Sequence, residues 1–359
     1  MKKQVLCLLG IAMSVFFVSC KKKSVEGESK PNPEPQTYTA PAQPFGVNLA
    51  GAEFGNTYPG TINQHYGYPT AADLDYFKSK GLMLIRFPFR WERIQRSLYA
   101  ELDATELARM KTFIDAAKAR NMFVLLDMHN YCRRKVGDVF EEIGSNAIPL
   151  ESVGDAWAKL AAAFKGYDNI WGYGIMNEPY GLTKLTWFNI AQSIITKIRA
   201  VDNKTTIVVG GDSFSSASRW PEVSNNLKDL NDPSNNLIYE AHTYFDNDSS
   251  GNYDQSYTDE KANENTGVQR VTPFVQWLKT NNKRGFVGEY GVPRNDARWL
   301  VVLENMLKYL NANCVNGCYW AAGPRWPEDE HLSIQPWHGD LPQTAILQKY
   351  QKTNPENCK

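Results

Sequence analysis

Eight short apolar runs, each followed by a stretch of helical periodicity, most constrain what this chain can fold into. The runs are Gly46–Leu49, Leu82–Phe87, Phe123–Met128, Gly172–Met176, Thr206–Val209, Leu237–Ala241, Gly285–Val287 and Gly317–Trp320. They show no polar alternation, the signature of parallel strands buried on both faces. Between them, Thr70 to Asp73 predicts a capping box. Leu74 and Phe77 continue its helix, and Gly81 ends it. Leu107, Met110, Phe113, Ile114 and Ala117 repeat at helical spacing, and similar stripes run through 157–164, 190–198, 274–278 and 300–310. The segment between the fifth and sixth runs carries no clean stripe and predicts an irregular helix. Strand–helix alternation repeated eight times predicts an α/β fold, a (β/α)8 TIM barrel, as one domain over residues 45–359. An open doubly wound sheet would place a glycine-rich phosphate turn after its first strand, and 46–55 gives no such turn followed by a helix.

The first twenty residues are not part of that domain. Lys2 and Lys3 precede an apolar run from Val5 to Val18, too short for a membrane span, as in an export signal. The run ends Phe17-Val18-Ser19-Cys20, which resembles a bacterial lipobox and predicts lipidation of Cys20; a plain secretory signal is the alternative. Residues 21–44, rich in Lys, Ser, Glu and Pro, predict a flexible tether. The expected location is therefore the cell envelope, on a periplasmic or outer surface. Formal charge is zero, from 39 basic and 39 acidic residues. No field of one sign is available to gather nucleic acid or an anionic membrane, so membrane contact is expected only through the lipid. A monomer is expected. Export permits disulfides among Cys132, Cys314, Cys318 and Cys358, and their spacing leaves the pairing open.

In a barrel of this kind chemistry sits at the carboxyl ends of the strands. Arg86 lies near the end of the second run, His129 follows the third, and Asn177 and Glu178 follow the fourth. His242 and Tyr244 follow the sixth, Glu289 the seventh, and Trp320 closes the eighth. Each alone has a structural explanation: a satisfied core histidine, a turn carboxylate, an aromatic plug. Together they bring two carboxylates, two imidazoles, an amide, a phenol, a guanidinium and an indole to one face. No His-x-His pair, short His/Cys cluster or G-x-S-x-G elbow is present, so neither a metal centre nor a serine nucleophile is expected. Two carboxylates suit acid–base and nucleophilic work on an acetal. Arg86 and Tyr244 are the expected partners of an ionised Glu289, leaving Glu178 as the proton donor. Carboxyls about 5–5.5 Å apart retain the anomeric configuration and those about 6.5–9.5 Å apart invert it. Pro179 is expected to disfavour a helical conformation at Glu178 and halt the strand.

At these residues the chain resembles glycoside hydrolase family 5. The pattern lies in Arg86 of RFPF, His129 of LLDMHN, Asn177 and Glu178 of IMNEP, His242 and Tyr244 of AHTY, Glu289 of GEYG and Trp320 of CYWAAGP. The flanks GVNLAGAEFG and FPFRWERIQ resemble its cellulase branch. The resemblance implies a retaining endo-β-1,4-glucanase with Glu178 as acid/base and Glu289 as nucleophile. Arg86, His129, Asn177, His242, Tyr244 and Trp320 would bind a polysaccharide or oligosaccharide, with no cofactor. Alternatives are the same mechanism on mannan, xyloglucan or a decorated acidic glucan, or a non-catalytic glycan-binding lipoprotein. Two departures stand out. Arg325 occupies a place where an aromatic is expected. The long loop from Tyr131 to Leu150 carries Arg133, Arg134 and Lys135, either as a solvated edge or as a contact for acidic substituents. Phe54, Tyr58, Tyr66, Trp187, Trp220, Trp326 and Trp337 are candidate sugar-stacking residues.

Overall fold

The computed structural model describes residues 44–351. The leader, all of the tether but Pro44, the lipidation site Cys20 and Cys358 lie outside the described residues. The barrel strands are β1 (Gly46–Leu49), β2 (Leu84–Phe89), β3 (Phe123–Met128), β6 (Ile170–Gly174), β7 (Ile207–Gly210), β8 (Leu237–His242), β9 (Gly285–Glu289) and β10 (Asn316–Ala322). They close in the order β1-β10-β9-β8-β7-β6-β3-β2, all parallel. This is the expected (β/α)8 barrel. Two strands fall outside it: β4 (Arg133–Val136) and β5 (Val139–Glu142) form an antiparallel hairpin. The stretch expected as a long loop is therefore in part a hairpin.

Helices α1 (Ala71–Ser79), α2 (Trp91–Ile94), α3 (Ala104–Lys118), α4 (Leu150–Phe164) and α5 (Trp187–Arg199) follow the first strands. The short α6 (Asp212–Ser215), α7 (Trp220–Val223) and a 3-10 turn at Asn225–Asp229 make the irregular segment, before α8 (Thr266–Thr280), α9 (Ala297–Ala312) and α10 (Pro342–Leu347). In α6, Ser213, Phe214 and Ser215 are left-handed, with φ of 52°, 61° and 55°. Thr70 caps α1 as expected: its hydroxyl accepts from Asp73 N, and the Asp73 carboxylate accepts from Thr70 N at 2.6 Å. Among the described residues no helix is long and apolar enough to cross a membrane.

Two apolar layers hold the barrel. The larger packs outward-facing strand residues such as Val47, Ile85, Val124 and Val209 against Phe77, Met110, Phe113 and Ile194 of the helices. Full burial of such a side chain contributes about 1.5–3 kcal/mol. The smaller layer plugs the barrel from within: Leu84, Leu125, Trp171, Val208, Ile238, Phe286 and Cys318. Side chains two residues apart share a strand face. One layer above this plug, the same strands therefore send inward Arg86, Asp127 and Glu240.

Two strand boundaries differ from expectation. β2 runs on to Phe89, so Arg86 lies mid-strand. β6 ends at Gly174, two residues early, and the chain then keeps single bonds, Ile175 N to Val208 O at 3.1 Å and Asn177 N to Met128 O at 2.9 Å. Cys314 is disulfide-bonded, whereas Cys132 and Cys318 are free and buried. Loss of the α1 cap in Thr70→Ala should lower unfolding free energy by about 1 kcal/mol in a urea titration, with hydrolytic activity unchanged.

Candidate active site

The site is built around one buried guanidinium. Arg86 Nη1 donates to Asn48 Oδ1 at 2.9 Å and to Glu289 Oε1 at 2.9 Å, and Nη2 donates to Asn177 Oδ1 at 2.7 Å. Its Nε lies 2.8 Å from Glu240 Oε1, and Nη2 lies 3.2 Å from Asp127 Oδ1. Burial works against the charge, but Asp127, Glu240 and Glu289 outweigh it and raise the guanidinium above its ordinary value.

The two histidines repeat one motif: each stands two residues beyond an inward carboxylate on its own strand. His129 Nδ1 lies 2.8 Å from Asp127 Oδ2, and its Nε2 faces Tyr131 Oη at 3.0 Å and Asn177 Nδ2 at 3.3 Å. Burial, with Arg86 and Arg90 nearby, pushes His129 well below its ordinary pKa. It is therefore neutral, and its partners assign the proton to Nδ1. His242 Nδ1 lies 2.8 Å from Glu178 Oε1 and its Nε2 lies 3.2 Å from Glu240 Oε1. Burial opposes its charge, but Glu289, Glu178 and Glu240 raise it to about 10. Glu240 itself is held below the usual carboxylate range, because Arg86 and His242 outweigh its burial.

Glu289 accepts from Arg86 and, at 2.9 Å, from the Tyr244 hydroxyl on Oε2. These are the two partners expected from the sequence. Burial nonetheless raises Glu289 to about 7, with His242 and Arg86 acting the other way. Tyr244 is pushed well above its ordinary value, first by burial and then by Glu289, so it remains a donor. Glu178 is the most open of the set, its side chain 16% exposed against 5% for Glu289. Its φ is +43°, a left-handed conformation that a residue with a Cβ adopts only under constraint. Glu178 is thus outside the right-handed helical region, as expected before Pro179, and the strand has already ended at Gly174. A carboxylate oxygen from each of Glu178 and Glu289 and a ring nitrogen of His242 lie within 4.8 Å of one another. Among the described residues this is the one trio with donors for a metal, and both nitrogens of His242 already face carboxylates.

Two cavities flank the trio. One of about 570 Å³ is lined by Glu178, Tyr131, His242, Tyr244, Phe214 and Arg219; one of about 360 Å³ by Tyr244, Trp320, Trp326 and His331. Tyr244 borders both. Trp320 stacks on His129 at 5.6 Å and 13°. All eight residues predicted from strand ends thus meet at one end of the barrel. The aromatic candidates divide. Trp326 lines a cavity and Phe54 packs on it edge-on at 4.9 Å. Tyr58 packs edge-on against Phe140 of the β4–β5 hairpin at 6.2 Å. Trp337 is exposed and lines neither cavity. Tyr66, Trp187 and Trp220 are core residues instead. The Tyr66 hydroxyl donates to Glu106, Trp187 Nε1 donates to the Gly210 carbonyl, and Trp220 packs against Phe274 and Trp277.

The chain matches the family model described as cellulase (glycosyl hydrolase family 5) over residues 38–325. The chain belongs to glycosyl hydrolase family 5. It is a glycoside hydrolase. Among family 5 relatives, endo-beta-1,4-glucanase B of Aspergillus niger is 34% identical over 300 residues, spanning 82% of this chain and 86% of the relative. The crystal structure of Pseudomonas stutzeri endoglucanase Cel5A in complex with cellobiose is 41% identical with a TM-score of 0.82, covering 88% of this chain and 93% of that one. XacCel5A in complex with cellopentaose is 38% identical with a TM-score of 0.80, covering 86% and 99%.

Within this family 5 site, sequence reasoning assigned no role to Asn48, Asp127, Glu240, Tyr131 or Phe214. Asp127 and Glu240 carried a usable signal: an acid two residues before each strand-end histidine, inside an otherwise apolar run. Two of the basic loop residues, Arg133 and Arg134, make structural contacts. Arg134 is buried over the Trp91 ring and donates to Gln95 O at 2.6 Å, and Arg133 donates to the carbonyls of Tyr131 and Tyr180 at 3.0 Å. Arg325 donates to Asn63 O and Gln64 O, tying its loop to the one after β1. A Cβ on Gly288 would sit 1.8 Å from Glu240 Oε1. Gly288→Ala must displace Glu240 from Arg86 and His242, and should cut hydrolysis at least about tenfold with far-ultraviolet circular dichroism retained.

Proposed function

We propose that the protein is an endo-acting β-1,4-glucanase that hydrolyses with retention, Glu289 acting as nucleophile and Glu178 as acid/base. The observation that carries this reading is the pair of carboxylates with oxygens within 4.8 Å. That approach of the nearer oxygens favours the closer carboxyl arrangement, about 5–5.5 Å, in which one carboxylate attacks the anomeric carbon, over the separation of about 6.5–9.5 Å that inversion needs to admit a water. Glu289 attacks the anomeric carbon while Glu178 gives its proton to the departing oxygen. Arg86 and Tyr244 orient the Glu289 oxygens. Glu178, then a carboxylate, takes the proton of the water that cleaves the ester. Arg86 fixes the Asn177 amide through its oxygen; one Nδ2 hydrogen faces His129 Nε2, and the other is left for a sugar 2-hydroxyl. Trp320, stacked on neutral His129, offers a face to the sugar ring.

A neutral, unbranched β-1,4-glucan is the substrate class we favour, in line with the cellobiose and cellopentaose bound by the two relatives. Arg133 and Arg134 donate to backbone carbonyls, which weighs against their serving as a contact for a decorated acidic glucan. We propose, from the sequence before residue 44, that Cys20 carries a lipid; radiolabelled palmitate should appear on the parent and be lost in Cys20→Ala.

Glu178→Gln and Glu289→Gln should each lower hydrolysis of carboxymethyl-cellulose by at least about 100-fold with the fold intact. Parental activity in either contradicts the assignment. The pH profile gives a further check. Glu289 attacks only when ionised and burial raises its pKa. The acid limb of kcat/KM should therefore lie above 4.5, activity falling as pH drops through it; a limb at or below 4.5 contradicts that environment.

A further inference from the structure

Both nitrogens of the His242 ring face a carboxylate. Nδ1 lies 2.8 Å from Glu178 Oε1 and Nε2 lies 3.2 Å from Glu240 Oε1. A neutral imidazole donates through one nitrogen only. With Glu240 kept ionised by Arg86 at 2.8 Å, two arrangements satisfy both contacts: His242 holds two protons, or Glu178 holds the second. They differ in the place of one proton along a single 2.8 Å hydrogen bond. His129 is the internal contrast. It has the same carboxylate two residues back, but its other nitrogen meets a hydroxyl and an amide.

We propose that Glu240 is a positioning residue that holds the Nε2–H of His242, so that the Nδ1 proton is shared with Glu178 and the pair stores the catalytic proton. The proposal rests on Glu178 being the acid/base. Several features single out Glu240. Its Oε1 bridges Arg86 Nε at 2.8 Å and His242 Nε2. Side chains of His242 and Glu240 are 3% and 2% exposed, so bulk water does not serve Nε2. Gly288 leaves the space that this carboxylate fills.

The proton balance is complete without another reagent. In the free enzyme one dissociable proton lies between Glu178 Oε1 and His242 Nδ1. As the glycosidic bond breaks, its electron pair goes to the leaving oxygen, which takes that proton, and a Glu289 oxygen bonds to the anomeric carbon. Glu178 is then a carboxylate and His242 a neutral ring with Nε2–H toward Glu240. Water attacks the anomeric carbon, its oxygen displaces Glu289, and its proton returns to the Glu178–His242 pair.

The other charged or titratable groups around His242 are Arg86 from β2, Asp127 from β3 and His129 just after it, Glu289 from β9, and neutral Tyr244; burial raises Asp127 and Glu289 to about 7, so both are ionised on the alkaline side where the limb is read. Removing the Glu240 charge weakens the imidazolium, so the pair loses its proton at lower pH. The test compares the parent with Glu240→Gln and Glu240→Asp, using cellotetraose and a dinitrophenyl cellobioside, whose leaving group needs no proton. The alkaline limb of kcat/KM on cellotetraose should move down by about one pH unit or more in Glu240→Gln and return toward the parent in Glu240→Asp. At pH 8 the Glu240→Gln loss on cellotetraose should exceed that on the dinitrophenyl substrate at least tenfold. An unmoved limb, or equal losses on both substrates, overturns the proposal. Imidazole 15N NMR of the parent, assigned with His242→Asn, decides the case even where Glu240→Gln does not fold. At pH 7 His242 should bear protons on both nitrogens or exchange one in the hydrogen bond to Glu178. A proton confined to Nδ1, with Nε2 bare, overturns it. Parental cellotetraose hydrolysis by Glu178→Gln would instead remove the acid/base assignment beneath it.

Discussion

One cation is shared by three carboxylates, and the site depends on that sharing. Arg86 is fully buried and lies 2.8 Å from Glu240, 2.9 Å from Glu289 and 3.2 Å from Asp127. A buried ion without partners costs several kcal/mol, and a buried carboxylate cluster without a cation would bind protons until it was neutral. Each side of this arrangement permits the other. The guanidinium stays charged because three carboxylates outweigh its burial. Glu289 keeps a charged donor on one oxygen and a phenol on the other.

The barrel supplies the dryness that makes these interactions strong. The apolar plug of Leu84, Leu125, Val208, Ile238 and Phe286 closes the barrel below Arg86. Strand geometry then places the polar layer without further cost in topology, since residues two apart share a face. From the top, Trp320 over His129 and Tyr244 over Glu289 bound the site. Of the two catalytic carboxylates, Glu178 is the one that reaches into the open cleft, on a left-handed residue between Asn177 and Pro179. Exposure thus follows role: the group that meets the leaving oxygen is the one solvent reaches.

Much of this was legible in the sequence. Eight apolar runs gave the barrel because strands buried on both faces cannot alternate. Reading the residues at the ends of six of these runs gave the eight side chains that converge, because all the parallel strands end at one face. Asp127 and Glu240 were hidden for the same reason. Inside a run that is apolar on both faces, period two is invisible, so a single acid reads as an interruption rather than as an inward layer. The aromatics failed differently. Trp187 and Trp220 lie near strand ends in sequence but point into the helical layer, and only packing distinguishes a platform from a core residue. Arg133 and Arg134 read as a basic edge and Arg325 as a replaced aromatic, yet all three bind backbone carbonyls, partners that carry no sequence signal. The β4–β5 hairpin was missed because its strands are four residues each and their apolar residues, Val136, Val139 and Phe140, gather at the turn and stay exposed, so neither strand shows an alternating buried face.

The central claim is that Glu289, held by Arg86 and Tyr244, attacks the sugar directly. A 2-deoxy-2-fluoro cellobioside with a dinitrophenolate leaving group slows the second step and should trap the ester. The account predicts an added mass of one fluorinated disaccharide, mapped by peptide sequencing to Glu289. The same reagent leaving the protein mass unchanged, or an adduct on any other residue, would contradict it.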